Sequence, residues 1–153
     1  TGGFTEVCLS HGARRVYAVD VGRDQLHPRL RADPRVVMLE GVDARTLTPE
    51  LVPDVIDAVV CDASFISLGK VLPAALALAR PGALLVALVK PQFELQPGQV
   101  GKGGIVRDTA LYAVVQQRLR DACAGLGLQV RAWFDSPIAG GDGNHEFFIH
   151  ASL

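Results

Sequence analysis

The chain has 153 residues, one domain's worth, of which 49% are apolar and 20% charged; it is too apolar for disorder and long enough to bury a core. Fifteen basic residues against 16 acidic ones give a formal charge of −1, which excludes nucleic-acid binding by bulk positive charge but leaves room for a local patch. Cys8, Cys61 and Cys123 are widely spaced and form no CxxC pair, so neither a disulfide scaffold nor a metal site is expected, and a reducing cytoplasm is. The opening TGGFTEV does not read as a signal peptide, and the apolar stretches Val71 to Ala79 and Ala83 to Val89, separated by Arg80, Pro81 and Gly82, are each far short of a membrane span.

In chain order, Gly2 and Gly3 open a first helix predicted over Gly3 to Gly12. Arg15 to Val21 (RVYAVDV) is a short apolar run, β-branched in part, as a buried parallel strand requires. A short helix over Asp24 to Arg31 leads to a second strand, Val36 to Val42 (VVMLEGV). Val55 to Asp62 (VIDAVVCD) is the third strand, and Ser67 caps a helix expected to run to Arg80, with Pro73 in its first turns and a Pro-Gly stop. Leu84 to Lys90 (LLVALVK) is the fourth strand. Asp108 caps the clearest helix, Asp108 to Gly125, in which Leu111, Val114, Val115, Leu119 and Cys123 recur near the helical period. Leu128 to Phe134 and Glu146 to Ala151 are two last strands, and the loop between them is too short for a parallel crossover, so they should form an antiparallel hairpin.

The pattern predicts one doubly wound α/β domain over residues 1–153, Rossmann-like, with a mostly parallel sheet and an antiparallel C-terminal hairpin. In such a sheet the strand that feeds the first glycine loop is central. The chain opens at Thr1-Gly2-Gly3 without one; the expectation is therefore a fragment that starts just after that strand, with its sheet split at the middle.

Ligands of doubly wound sheets bind beyond the carboxyl ends of the strands. Four successive predicted strands end in or near an ionisable residue: Asp20, Asp43, Asp62 and Lys90. Asp20 lies close to the interval beyond Gly3 at which a Rossmann acid accepts hydrogen bonds from ribose hydroxyls. Gly2 and Gly3 would let a ligand approach the backbone and leave helix N–H groups for an anion, or simply make a tight turn. Asp43 would accept from an adenine amino group or cap the turn at Thr46 to Leu51. NAD and S-adenosylmethionine both use a ribose acid, and the terminal hairpin and the DASF sequence at Asp62 favour the latter. The Asn/Asp-Pro-Pro-aromatic turn of amino-methylating enzymes is absent, because both prolines are missing from DASF. Cys61 should point away from Asp62 by strand alternation, which argues against a cysteine nucleophile.

Lys90 is one of only three lysines among the 15 basic residues. It ends an apolar strand on the same edge as Asp62, and a lysine partly withdrawn from water can act as a general base, with the carboxylate orienting it; the alternative is a snorkelling surface lysine. Glu146 reaches the same edge if the hairpin folds back. The Pro97 to Asp108 loop only superficially suggests a P-loop, because Lys102 precedes glycine and not Ser or Thr. It reads as a mobile lid beside the substrate, with Lys102 and Arg107 on it.

The stretches TGGFTE, YAVDVG, CDASFISL, LVKPQFE, GQVGKGGIVRD and GDGNHEFF, in this order, resemble the TlyA family, named haemolysins but carrying an FtsJ-like methyltransferase domain that acts on ribosomal RNA. The resemblance implies S-adenosylmethionine as cofactor, ribosomal RNA or ribosomal subunits as partner, and 2′-O-methylation of a cytidine ribose in the cytoplasm. The related heat-shock RNA methyltransferases use a Lys-Asp-Lys-Glu tetrad, whose last three members would be Asp62, Lys90 and Glu146. The first lysine and a small S4-like RNA-binding domain would lie upstream. The rivals are a non-catalytic RNA- or cofactor-binding module, a membrane-active haemolysin and an NAD-dependent oxidoreductase.

Overall fold

Gly2, in the left-handed region at φ 97°, starts the first helix, α1 (Gly3–Ser10). A Cβ on Gly2 would fall 2.5 Å from Leu26 Cδ1 and 2.6 Å from Leu30 Cδ1, so both its backbone angle and its packing demand glycine. The computed structural model describes residues 2–153; Thr1, the first residue of the Thr1-Gly2-Gly3 run, lies outside them. The chain divides into two compact units, Thr1–Asp54 and Val55–Leu153.

In the first unit, β1 (Val16–Asp20) and β2 (Val36–Glu40) pair in parallel, from Val16 beside Val36 to Asp20 beside Glu40. The helix expected over Asp24 to Arg31 contracts to a single turn, α2 (Pro28–Arg31). Pro28 lacks an N–H and is best placed in the first turn of a helix, and the His27 ring nitrogen caps the turn by accepting from Arg29 N–H at 3.1 Å.

The second unit holds β3 (Ile56–Cys61), α3 (Leu68–Leu76), β4 (Ala79–Val89), α4 (Leu111–Gly125), β5 (Gln129–Asp135) and β6 (Phe147–Ser152). The strand order is β3-β4-β6-β5, with β3 and β4 parallel and β6 antiparallel to both of its neighbours. The expected hairpin is thus β5–β6, and β6 alone runs against the other strands of its sheet. The helix expected to reach Arg80 stops at Leu76, and β4 begins at Ala79 and not at Leu84. Ala79 pairs with Ile56, and the register then shifts, which accommodates Pro81 and the left-handed Gly82 inside the strand. The last helix begins at Leu111, three residues after its expected cap, because Asp108 folds its own turn: its Oδ1 accepts from Ala110 N–H at 3.0 Å and its carbonyl from Leu111 N–H at 3.1 Å.

The core of this unit follows strand alternation. Leu85, Ala87, Val89, Ile149 and Ala151 are buried on one face, together with Val71, Leu72 and Leu76 of α3 and Val115, Leu119 and Cys123 of α4. The opposite face is half-open, with Val60, Leu84 and Phe134 exposed. Among the described residues the strands form two separate sheets, and the edge strands β1, β2, β3 and β5 each have one long side without a partner strand.

Candidate active site

β3 and β4 are parallel neighbours, with Cys61 beside Ala87, so their carboxyl ends bring Asp62 and Lys90 to one sheet edge. Lys90 follows the fully buried Val89, and its side chain is only 13% exposed. Its side-chain nitrogen lies 2.6 Å from Asp62 Oδ1 and donates a hydrogen bond to Ser64 Oγ at 2.8 Å. Asp62 is half exposed, so the pair sits at a boundary with water and not in a sealed core.

Glu146 reaches the same edge from the other side of β4, since Phe147, the first residue of β6, pairs with Val89. It is 8% exposed. Burial pushes its carboxyl above the ordinary 4.5; Lys90 pulls it down, and Asp62 and Asp142 push it up. Glu146 therefore feels the charge of Lys90 but makes no ion pair with it; the second direct partner of the lysine is Ser64. The Glu146 carboxyl lies over Gly140, where a Cβ would come within 2.6 Å of Oε2. Gly140 is not in the left-handed region, so what it supplies is room.

The loops that carry these groups are cross-braced. Glu94, four residues after Lys90, accepts from Ser67 Oγ–H at 2.8 Å and from Leu68 N–H at 2.9 Å. One carboxylate thus caps α3 and ties the Asp62 loop to the Lys90 loop. Burial pushes Glu94 upward and the two hydrogen bonds oppose that shift. Gln92 Nε2 donates to Asp142 at 3.1 Å, which joins the Lys90 loop to the glycine-rich loop before β6. Asn144, 2% exposed, accepts from Val106 N–H at 2.9 Å and donates to the Gly104 carbonyl at 2.9 Å and to Asp142 at 2.8 Å.

Asn144 thereby bonds the Pro97 to Asp108 loop, read from sequence as a mobile lid, to the loop before β6. The loop contains 3-10 turns at Pro97–Gln99 and Lys102–Gly104. Three of its four glycines have structural reasons: a Cβ on Gly101 would meet the Ile105 carbonyl at 2.7 Å, and Gly103 and Gly104 are left-handed. Lys102 and Arg107 are exposed on it, and neither makes an ion pair among the described residues. Beside Asp62, Phe65 is 89% exposed and left-handed at φ 64°, and its ring packs against Phe93 with centroids 5.0 Å apart. Burial pushes the Cys61 thiol up to about 11, which does not suit a nucleophile.

The remaining predicted residues lie in the first unit. Asp20 ends β1 exposed; its Oδ1 accepts from Gly22 N–H at 2.9 Å, and its other oxygen takes no hydrogen bond among the described residues. Asp43 caps the turn Ala44–Thr46 by accepting from Arg45 N–H at 2.9 Å and is paired with the Arg45 guanidinium at 2.6 Å. Those bonds hold its carboxyl down at about 2. Asp43 does cap, but the turn is Ala44–Thr46 and not the one expected at Thr46 to Leu51. The N-terminus of α1 has no side-chain cap, and the Cβ position of Gly3 opens on empty space. A strand-end carboxylate with an open oxygen and an uncapped helix start suit the ribose and the charged groups of a nucleoside cofactor.

The sequence reading missed Ser64, Glu94 and Asn144. Asn144 carried a signal, as the only asparagine in the chain. Ser64 and Glu94 carried little beyond proximity to Asp62 and Lys90.

A family model for FtsJ-like methyltransferases matches residues 1–153. The 16S/23S rRNA (cytidine-2′-O)-methyltransferase TlyA of Mycobacterium tuberculosis is 50% identical over 149 residues, which cover 97% of this chain and 56% of that protein. The chain thus spans about half the length of this curated relative. A solved structure of a hemolysin-named protein from Streptococcus thermophilus is 42% identical with a TM-score of 0.94, over 99% of this chain and 55% of the other. A Burkholderia thailandensis N-methyltransferase solved with S-adenosylhomocysteine has a TM-score of 0.66 over 99% of this chain and 66% of its own at 18% identity, and shows the shared Rossmann-like methyltransferase fold. No helix among the described residues is long and apolar enough to cross a membrane.

Proposed function

Because the chain belongs to the FtsJ-like methyltransferase family, we propose that it serves S-adenosylmethionine-dependent 2′-O-methylation of a cytidine ribose in ribosomal RNA, with Lys90 as general base. The observation that carries the reading is the Lys90 nitrogen, mostly withdrawn from water at a strand end and 2.6 Å from Asp62. S-adenosylmethionine, when bound, supplies a methyl group on a sulfonium, so that the ribose oxygen gains the O–CH3 bond while the pair of the broken S–CH3 bond stays on sulfur. Lys90 Nζ takes the proton of the 2′-hydroxyl and becomes an ammonium, which Asp62 stabilises at once. Much of the rate then comes from alignment, since the donor is already activated.

The other residues have holding roles. Asp20 takes the ribose hydroxyls of the cofactor, and Gly2 and Gly3 leave the start of α1 open to its charged end. Asp43 contributes to the adenine while it keeps its cap, because a carboxylate has several acceptor positions. Lys102 and Arg107, free of ion pairs, meet RNA phosphates, and Phe65 offers its exposed ring to a base. Glu146 acts on the charge of Lys90 across a gap and not by direct contact.

The test uses full-length protein, methyl-labelled cofactor and ribosomal subunits. Lys90→Ala should abolish methyl incorporation and leave cofactor affinity within roughly threefold. Loss of both together makes Lys90 a structural residue. Cofactor binding without methyl transfer by the unmodified protein would mean a binding module.

A further inference from the structure

An amine that accepts a proton must aim its lone pair at the donor. Lys90 Nζ has three positions beyond its carbon chain, and in the uncharged amine two hold hydrogens and one the lone pair. One hydrogen faces Asp62 Oδ1 at 2.6 Å. That contact alone would let the lone pair take either of the other two positions as the group turns about its last bond. Ser64 Oγ, 2.8 Å from the same nitrogen, claims the second hydrogen. The lone pair is then left a single direction. We infer that Ser64 is a positioning residue that fixes the lone pair of Lys90 on the hydroxyl to be methylated; this rests on the proposed role of Lys90.

The surroundings support the assignment. Ser64 sits in the turn between β3 and α3, and that turn is bonded to the Lys90 loop through Ser67, Leu68 and Glu94. The two loops hold a common geometry without the Ser64–Lys90 bond, so removing the hydroxyl frees the amine and leaves the turn in place. Ser64 is exposed, and replacing it leaves no buried group unpaired. Glu146 cannot substitute, because it makes no hydrogen bond to Lys90. In the reaction the 2′-hydroxyl proton moves to the lone pair, the oxygen forms its bond to the methyl carbon, and the former S–CH3 pair remains on the neutral thioether. Ser64 keeps its own proton throughout.

The experiment compares Ser64→Ala, Ser64→Thr and Lys90→Ala in the full-length protein, with methyl-labelled S-adenosylmethionine and ribosomal subunits under steady-state conditions. Ser64→Ala should lower kcat roughly tenfold or more, with KM for both substrates within about twofold. Ser64→Thr, which keeps the hydroxyl on an exposed residue, should recover most of the loss. Near-normal kcat in Ser64→Ala beside an inactive Lys90→Ala overturns the inference and leaves the general-base reading intact. A raised KM, or no recovery with threonine, also overturns it by making Ser64 a binding or structural residue. An active Lys90→Ala removes the general-base reading itself.

Discussion

Gly140 shows how a residue with no functional group shapes this site. Its Cα lies under the Glu146 carboxyl, and a methyl group there would sit 2.6 Å from Oε2. The backbone at this position suits any residue, so Gly140→Ala should fold with a melting temperature within about 2 °C of the parent. The displaced atom is the end of a side chain, and the carboxyl would swing away, changing its distance to Lys90. Methyl transfer should fall roughly tenfold at unchanged melting temperature, measured by labelled-methyl incorporation beside thermal unfolding. Unchanged activity would show that the position of Glu146 is not critical.

The legibility of single residues depended on whether their role was local. Lys90 and Asp62 stood out because a charged group at the end of an apolar run is conspicuous. Ser64 did not, because its importance arises from a bond to a residue 26 positions away. Asp43 was ambiguous for the converse reason: its cap on Ala44–Thr46 is local and its suggested ligand is not.

At the scale of elements, strands were legible from their apolar runs and helix ends much less so. α3 stops early because Ala79 and Arg80, unremarkable in sequence, are drawn into a strand by pairing with β3. α2 shrinks because Pro28 fixes where it can begin. The loops hold together through a few buried polar groups, of which Asn144 is the most exacting. Asn144→Asp has the same shape but replaces the amide donor with an acceptor, facing the Gly104 carbonyl and the Asp142 carboxylate. The loss should be at least ~2 kcal/mol, a drop of about 5 °C in melting temperature, and the Lys102 loop should lose protection in hydrogen exchange. A variant with parental melting temperature and exchange would refute this bracing role.

For the whole molecule, the α/β order and the terminal hairpin followed from alternation and loop length. The half-open face of the larger sheet escaped the sequence reading because Val60, Leu84 and Phe134 belong to runs that look fully buried. Apolar character alone does not say which face a helix covers.

The unmatched sides of β1 and β3 carry a material consequence. Amide donors and acceptors along such a margin can template further extended chain. A polypeptide of these 153 residues should consequently self-associate, its scattering mass climbing across a roughly tenfold rise in concentration. A lysine at Val60, a half-exposed site on β3, acts as a gatekeeper and should suppress that climb. A mass independent of concentration would mean that these margins are already shielded in solution.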